Sequence, residues 1–339
     1  LDKAGHYSVL YRFLGGSDGG EPTASVTEDA GGNLYGAAFG NHSISALSTV
    51  FELTQAGQLT VLHDFTGIPD GDAADATPIL DAAGNLYGTT SSGGFACNSY
   101  YLPAGCGVVY KVDASGQYSV IHTFKTVADG VQPQGLAMDA AGNLYGSTAL
   151  GGASCFLDRI LGCGTVYKID TNGTYTVLHR FETPADGVLP TPVTVDAAGN
   201  VYGITVGGGD TNCSPGDGCG TIFRIDAAGR FSVLYTFTPA IVTTPGYNVP
   251  VLDSQGNLYD STAINQPGNG GFLFKLDTNG NFTELFVFPD FQDAPQDGEF
   301  VNGTAMDADG NFYGTMLSAG DVSCNPLGGG CGTVFKLTP

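Results

Sequence analysis

The groups with which this 339-residue chain could do chemistry are 33 carboxylates, five histidines and eight cysteines, set against 11 lysines and arginines. A net charge of −22 repels phosphate, so a nucleic-acid partner is excluded and an anionic membrane surface is disfavoured. The cysteines fall as four close pairs: Cys97–Cys106, Cys155–Cys163, Cys213–Cys219 and Cys324–Cys331. Short-range pairs at matching places read as loop-stapling disulfides. A zinc site would want two-residue spacings and extra Cys or His nearby, and neither is present. Disulfides persist in oxidising compartments, which predicts an extracellular, cell-surface or periplasmic protein.

No nucleophile elbow, zinc signature or phosphate loop occurs. A glycosidase needs two carboxylates flanking the scissile bond, and Asp158, Asp210, Asp217, Asp260 and Asp321 are the loop carboxylates available for that role. A lyase needs a base and a cation to neutralise a uronate, for which His42 with Arg159 is the obvious combination. If the protein is an enzyme, Asp260, Asp158, His42 and Arg159 are therefore its candidate catalytic residues. Loop aromatics and amides suited to sugar binding are Phe39 and Asn41 beside His42, Tyr100 and Tyr101, and Tyr247 with Asn248.

Phrases that recur along the chain position these groups. Gly-Asn-Leu-Tyr-Gly begins at Gly32, Gly84 and Gly142, with variants at Gly199, Gly256 and Gly310. Each is followed by a phrase of the type Thr165-Val-Tyr-Lys-Ile169 and, in five units, by one of the type Tyr175-Thr-Val-Leu-His-Arg-Phe181. The sixth copy of that last phrase, His6–Phe13, is displaced to the N-terminus. Each phrase alternates apolar and polar residues or forms a β-branched and aromatic run, bounded by Gly-rich turns, and so predicts a strand. A further strand precedes each Asp-Ala-Ala-Gly-Asn turn.

Four antiparallel strands, a to d in chain order, thus repeat about every 55 residues. The prediction is an all-β, six-bladed β-propeller forming one domain over residues 1–339. Its sixth blade, at about 300–339, is completed by residues 6–13, which closes the ring and removes a sheet edge. The tight a–b and c–d turns share one end of each blade. The longer b–c and d–a loops share the other, which is the expected functional face. The b–c loops hold 19, 18, 17 and 18 residues in blades 2, 3, 4 and 6, against 12 and 11 in blades 1 and 5, so an uneven rim is expected.

Residue types present in most blades read as scaffold, and departures as candidates. His63, His122 and His179 share a position with Tyr235, Phe286 and Tyr11, which reads as packing. Lys111, Lys168, Arg224, Lys275 and Lys336 share another, with Glu52 in blade 1, and read as ion-pair or stem-packing groups. Asp29, Asp81, Asp139, Asp196, Asp253 and Asp307 read as turn residues. Calcium is the one cofactor left open. Asp307-Ala-Asp309 has the spacing of a calcium loop without its bidentate Glu. The Asp-Gly connectors at Asp18, Asp70, Asp129, Asp186 and Asp297 read either as glycine-dependent turns or as a carboxylate ring binding a cation near the axis. Asp260 departs most, replacing the last Gly of the Leu-Tyr-Gly phrase.

The Leu-Tyr-Gly phrase followed by a Gly-Gly loop, the Val-Phe-Lys strand, the Leu-His-x-Phe strand and the Asp-Gly connector together resemble the GloVer repeat, a tandem motif of secreted and surface-anchored bacterial proteins. The resemblance implies export and a propeller, and brings no reaction with it. The expected role is a monomeric extracellular module that recognises a carbohydrate or other surface polymer. The alternatives are a glycan-degrading enzyme using the same face and a structural or adhesive surface protein. No run reaches the eighteen apolar residues of a membrane helix, so no membrane insertion is expected.

Overall fold

The computed structural model describes residues 8–15, 18–22, 24–39, 48–97, 104–152, 162–213, 218–239, 243–245, 248–264, 271–288, 299–318 and 333–338. Among them there are strands and turns and no helix. Each repeat folds into its own antiparallel sheet, and the six sheets make the fold a six-bladed β-propeller. In blade 3 the order is Val131–Met138, Leu144–Leu150, Thr165–Ile169, Tyr175–Arg180, the predicted a-b-c-d meander. Blade 2 repeats it with Ile79–Leu80, Leu86–Thr90, Val108–Val112 and Tyr118–Thr123. In blades 1, 4 and 5 strand a is split in two, as in blade 4, where Val188–Pro190 and Thr194–Val195 both pair with Val201–Gly207.

Blade 6 shows three strands, Glu299–Met306, Phe312–Ser318 and Thr333–Leu337. The expected fourth strand, residues 6–13, is described from Ser8 onward, and there it carries no strand ladder. Its side chains nevertheless do what strand d does elsewhere. Phe13 meets Phe51 edge-on at 5.2 Å, as Phe181 meets Phe223 at 5.3 Å. The packing expected of a strand preceding blade 1 is therefore present, and the hydrogen-bonded ladder is not.

The chain divides into two compact units, Leu1–Thr126 with Val131–Leu136, and Val127–Gly130 with Ala137–Pro339. Within each, the cores lie between consecutive blades. In the first unit, Val50 and Phe65 of blade 1 pack with Leu86, Val108 and Tyr110 of blade 2. In the second, Val166 and Phe181 of blade 3 pack with Val201, Phe223 and Ile225 of blade 4, and the pattern continues through blades 5 and 6. The Gly of the Leu-Tyr-Gly phrase in blades 1 to 4 is required by this packing. A Cβ on Gly146 would sit 2.4 Å from the Tyr167 hydroxyl, and one on Gly203 would sit 2.4 Å from Phe223 Cζ.

The turn aspartates behave as expected. Asp139 accepts from Ala141 N and Asn143 N on Oδ1 and from Asn143 Nδ2 and the Tyr145 hydroxyl on Oδ2. The same set surrounds Asp307, where the Asn311 side chain leads the hydrogen bonds that bring the carboxyl down to about 2. Four donors fill both oxygens, so the calcium-loop reading of Asp307-Ala-Asp309 gives way to a turn. The four strand-c lysines sit over the adjoining tyrosine rings, with Lys168 Nζ 5.2 Å from the Tyr145 centroid, while Arg224 Nη2 donates to Asn200 Oδ1 at 2.9 Å.

Candidate functional site

The loop face is founded on glycine. In blades 2, 3 and 4 a Gly-Gly pair after strand b meets a Gly-Cys-Gly stretch before strand c. Gly107 N donates to Gly93 O, Gly164 N to Gly151 O, and Gly220 N to Gly208 O, at 3.0–3.1 Å. A Cβ on Gly151 would lie 2.4 Å from Gly130 Cα, and one on Gly208 would lie 2.4 Å from Gly187 Cα, so backbone packs on backbone. The cysteines complete the base. Cys97–Cys106 and Cys213–Cys219 are bonded, with Cα atoms 5.5 and 5.2 Å apart. Cys163 is also disulfide-bonded, and its expected partner Cys155 lies outside the described residues, as do Cys324 and Cys331. Such staples limit loops that have little core of their own, at roughly 2–4 kcal/mol each.

A second repeated device was missed in the sequence. Ala73, Gln132 and Leu189 occupy equivalent places just after the connectors, all with φ between 54° and 57°. A left-handed backbone is strained for Leu and Gln. The loop cysteines hold it: Gln132 N donates to Cys106 O and Leu189 N to Cys163 O. Three different side chains at one backbone conformation leave no composition signal to find it by.

The Asp-Gly connectors resolve into junctions between neighbouring outer strands. His63 lies flat on Tyr118 of the next blade at 3.6 Å, and its Nε2 is 2.9 Å from Asp70 Oδ2. Asp70 Oδ1 accepts from Thr66 N and Thr66 Oγ1, and the Tyr118 hydroxyl donates to Asp70 O. Burial would raise the Asp70 carboxyl, but the hydrogen bonds from Thr66 and His63 outweigh it and hold it below its ordinary value. Asp18 is used in the same way by the Tyr11 hydroxyl and Leu14 N. The carboxylates of Asp18 and Asp70 thus serve junctions at the outer-strand end of their connectors. Asp297 lies outside the described residues.

The junction between blades 3 and 4 is different. His179 stacks on Phe231 at 3.7 Å, but its Nε2 stops 3.7 Å from Asp186 Oδ2. Burial lowers the His179 pKa against the pull of Asp186, so the ring is neutral at pH 7. Phe231 has no hydroxyl, and Asp186 O accepts instead from Thr221 Oγ1 at 3.0 Å. Beside this looser junction opens a groove of about 520 Å³ between connector, b–c loop and outer strand. Asp186, Asp210, Ser232 and Thr236 line it with polar groups, and Phe231 and Val233 with apolar ones. Asp210 Oδ1 accepts from Asn212 N and Nδ2. Asp186 and Asp210, named separately in the sequence, are thus brought to one site.

The other candidates fare unequally. Asn41, His42, Tyr100, Tyr101, Asp158, Arg159 and Tyr247 lie outside the described residues, as do Asp217 and Asp321. Phe39 is half-buried at the end of strand b of blade 1. Asp260 and Asn248 meet, but inside the protein. Asp260 is fully buried in strand Leu258–Ile264 opposite Phe274, and Asn248 Nδ2 donates to Ser261 Oγ at 2.9 Å. Asp260 Oδ1 accepts from Ser261 N, while Oδ2 is buried without a hydrogen-bond partner. Desolvation raises its pKa to about 7 despite the hydrogen bonds from Ser261 and Asn248. Phe95, unremarked in the sequence, is 46% exposed in the blade 2 loop beside Cys97.

Fold and site together define a disulfide-stapled β-propeller with an open groove between connector, b–c loop and outer strand of blade 4. Residues 1–214 match the model of the Gloeobacter/Verrucomicrobia repeat, and the chain belongs to that family. No curated protein matches it. Among solved structures it is similar to a luciferin-regenerating enzyme, at 14% identity and a TM-score of 0.55 over 95% of this chain and 94% of that one. It is also similar to a gluconolactonase of Xanthomonas campestris, at 14% identity and a TM-score of 0.52 over 95% and 87%. At that identity the likeness shows the fold alone. The disulfides place the protein in an oxidising compartment, and no helix among the described residues is long and apolar enough to cross a membrane.

Proposed function

We propose that the protein is an extracellular recognition module that binds a carbohydrate or other surface polymer through its b–c and d–a loops. The observation that carries this reading is the blade 4 groove. Its volume of about 520 Å³ falls within the range of small-molecule sites. Its lining mixes two carboxylates and two hydroxyls with apolar side chains, the alternation of polar and apolar contacts that a sugar ring offers in return. The rigid glycine and disulfide base beneath it supplies preorganisation, which reduces the entropy lost on binding. The b–c loop of blade 2 carries an exposed aromatic ring of its own, Phe95.

A second reading is glycan hydrolysis, favoured by the presence of two carboxylates in one groove. The test is a glycan array read alongside product analysis on the same ligands. Binding without product release, weakened by Asp210→Ala, supports recognition. A ladder of shortened products that disappears in Asp186→Asn would replace recognition with hydrolysis.

A further inference from the structure

We propose that the blade 4 groove takes a sugar bearing a free, protonated amine, an amino-sugar unit that is neither acetylated nor acidic. This rests on the recognition reading above and names the chemistry of the ligand. The first argument is the state of Asp186. Its counterpart Asp70 is closed by His63 at 2.9 Å and by two bonds from Thr66. Asp186 stands 3.7 Å from His179, which is out of hydrogen-bond reach. The position of Thr66 is taken in this connector by Glu182, which has no hydroxyl to donate. Glu182 thus offers no counterpart to the Thr66 hydroxyl and His179 stops short, which leaves the Asp186 carboxylate facing the groove, while the change from Tyr118 to Phe231 alters only the main-chain oxygen, which Thr221 takes.

The second argument is charge. Asp210 spends Oδ1 on Asn212, and both of those bonds leave Oδ2 available. Among the described residues no Lys or Arg lines the groove. Of the neighbouring cations, Arg230 is held by Asp226 at 2.7 Å, and Arg224, the cross-strand partner of Ser232, donates to Asn200 at 2.9 Å. Uronates and sulfated sugars are repelled by two lining carboxylates on a chain of net charge −22. A neutral sugar would desolvate both carboxylates with only neutral donors in return. A protonated amine returns charge-assisted hydrogen bonds, which are about twice as strong as neutral ones. Ring stacking adds little here. Phe231 lies parallel to His179 on one side and is stacked with Phe223 as well, so its edge is what the groove receives. Recognition therefore runs through charge and through the hydroxyls of Ser232 and Thr236.

The experiment is calorimetric titration of the whole chain with glucosamine oligomers, with N-acetylated oligomers of equal length, and with calcium chloride. The variants are Asp186→Asn, Asp210→Asn and Asp64→Asn, the last an exposed carboxylate on the outer strand of blade 1 that controls for diffuse charge. The expected result is binding of the free-amine oligomer, about tenfold weaker binding of the acetylated one, and about a tenfold loss in either groove variant with no change in Asp64→Asn. Equal losses in all three variants, or equal affinity for the acetylated oligomer, would overturn the proposal. So would calcium binding that Asp186→Asn abolishes in a protein indifferent to the amine. If neutral sugars bind and the groove variants are silent, this inference fails while recognition stands. If no saccharide binds anywhere, both fail.

Discussion

Two copies of one junction show how this protein turns a scaffold into a surface. Between blades 1 and 2, histidine, aspartate, threonine and tyrosine satisfy one another: His63 lies on Tyr118, and Asp70 takes bonds from His63 and Thr66. Between blades 3 and 4 the same stack is kept, His179 on Phe231, with a nearly identical separation and an interplanar angle of 6° in both. What changes is the polar half. Without the threonine hydroxyl, and with His179 3.7 Å away, the connector carboxylate is held less closely than Asp70, and its main-chain oxygen accepts from Thr221 in place of the tyrosine. The stacking holds the blades in register, so the polar half is free to vary without loss of the fold. Function can enter a repeat protein in this way, through the groups that packing does not need.

Blade 5 offers the sharpest contrast, because there the departure from the repeat is sealed instead of opened. Asp260 has a folded pKa of about 7, against an ordinary value of 3.8. The unfolded chain therefore loses its proton first as pH rises. Stability should be highest below about pH 4, fall through the window from there to about pH 7, and level off above it. The total is about 4 kcal/mol, on the order of 1.4 kcal/mol per pH unit. Other aspartates titrate in the opposite sense, so the measurement is the difference between wild type and Asp260→Asn in urea denaturation across that range. If Asp186→Asn removed this pH dependence and Asp260→Asn did not, the contrast between sealed and open carboxylates would be wrong.

A smaller effect tests the junctions themselves. Asp70→Asn should cost about 1–2 kcal/mol, because the acceptor for Thr66 and His63 is weakened, whereas Asp186→Asn should stay within about 0.5 kcal/mol. Equal costs would mean that the two junctions are equally closed. The smallest effect concerns the core. The Tyr110 hydroxyl is buried without a hydrogen-bond partner, where blades 1, 4 and 5 carry Phe51, Phe223 and Phe274. Tyr110→Phe should leave stability unchanged or raise it by up to about 1 kcal/mol, read as a shift in thermal midpoint. A clear loss would show that the hydroxyl has a partner in solution.

Much of the architecture was legible. Six copies of three short phrases, with alternating polarity and Asp-x-x-Gly-Asn turns, specify strands, their antiparallel order and the face each loop shares. Asp139 and its five equivalents capped their turns as their spacing predicts. The site was less legible. Asp260 stood out in the sequence because it breaks the Leu-Tyr-Gly phrase, yet its strand position places it in the core. Asp186 did not stand out, because it keeps the Asp-Gly phrase and differs from Asp70 in the longer reach from its histidine and in the residue at Glu182. The N-terminal copy of the strand-d phrase packs on blade 1 through Phe13, as its sequence requires, without the ladder that the pattern alone suggested.

By itself the sequence determined the repeat, the strand order, the turn chemistry and the disulfide partners Cys97–Cys106 and Cys213–Cys219. These depend on neighbours a few residues apart, whose geometry the local backbone sets. Tertiary structure alone decided which carboxylates face water and which face hydrophobic neighbours. The surroundings of Asp186, Asp210 and Asp260 come from segments tens of residues away, and a side chain's charge state and availability follow from what is packed around it.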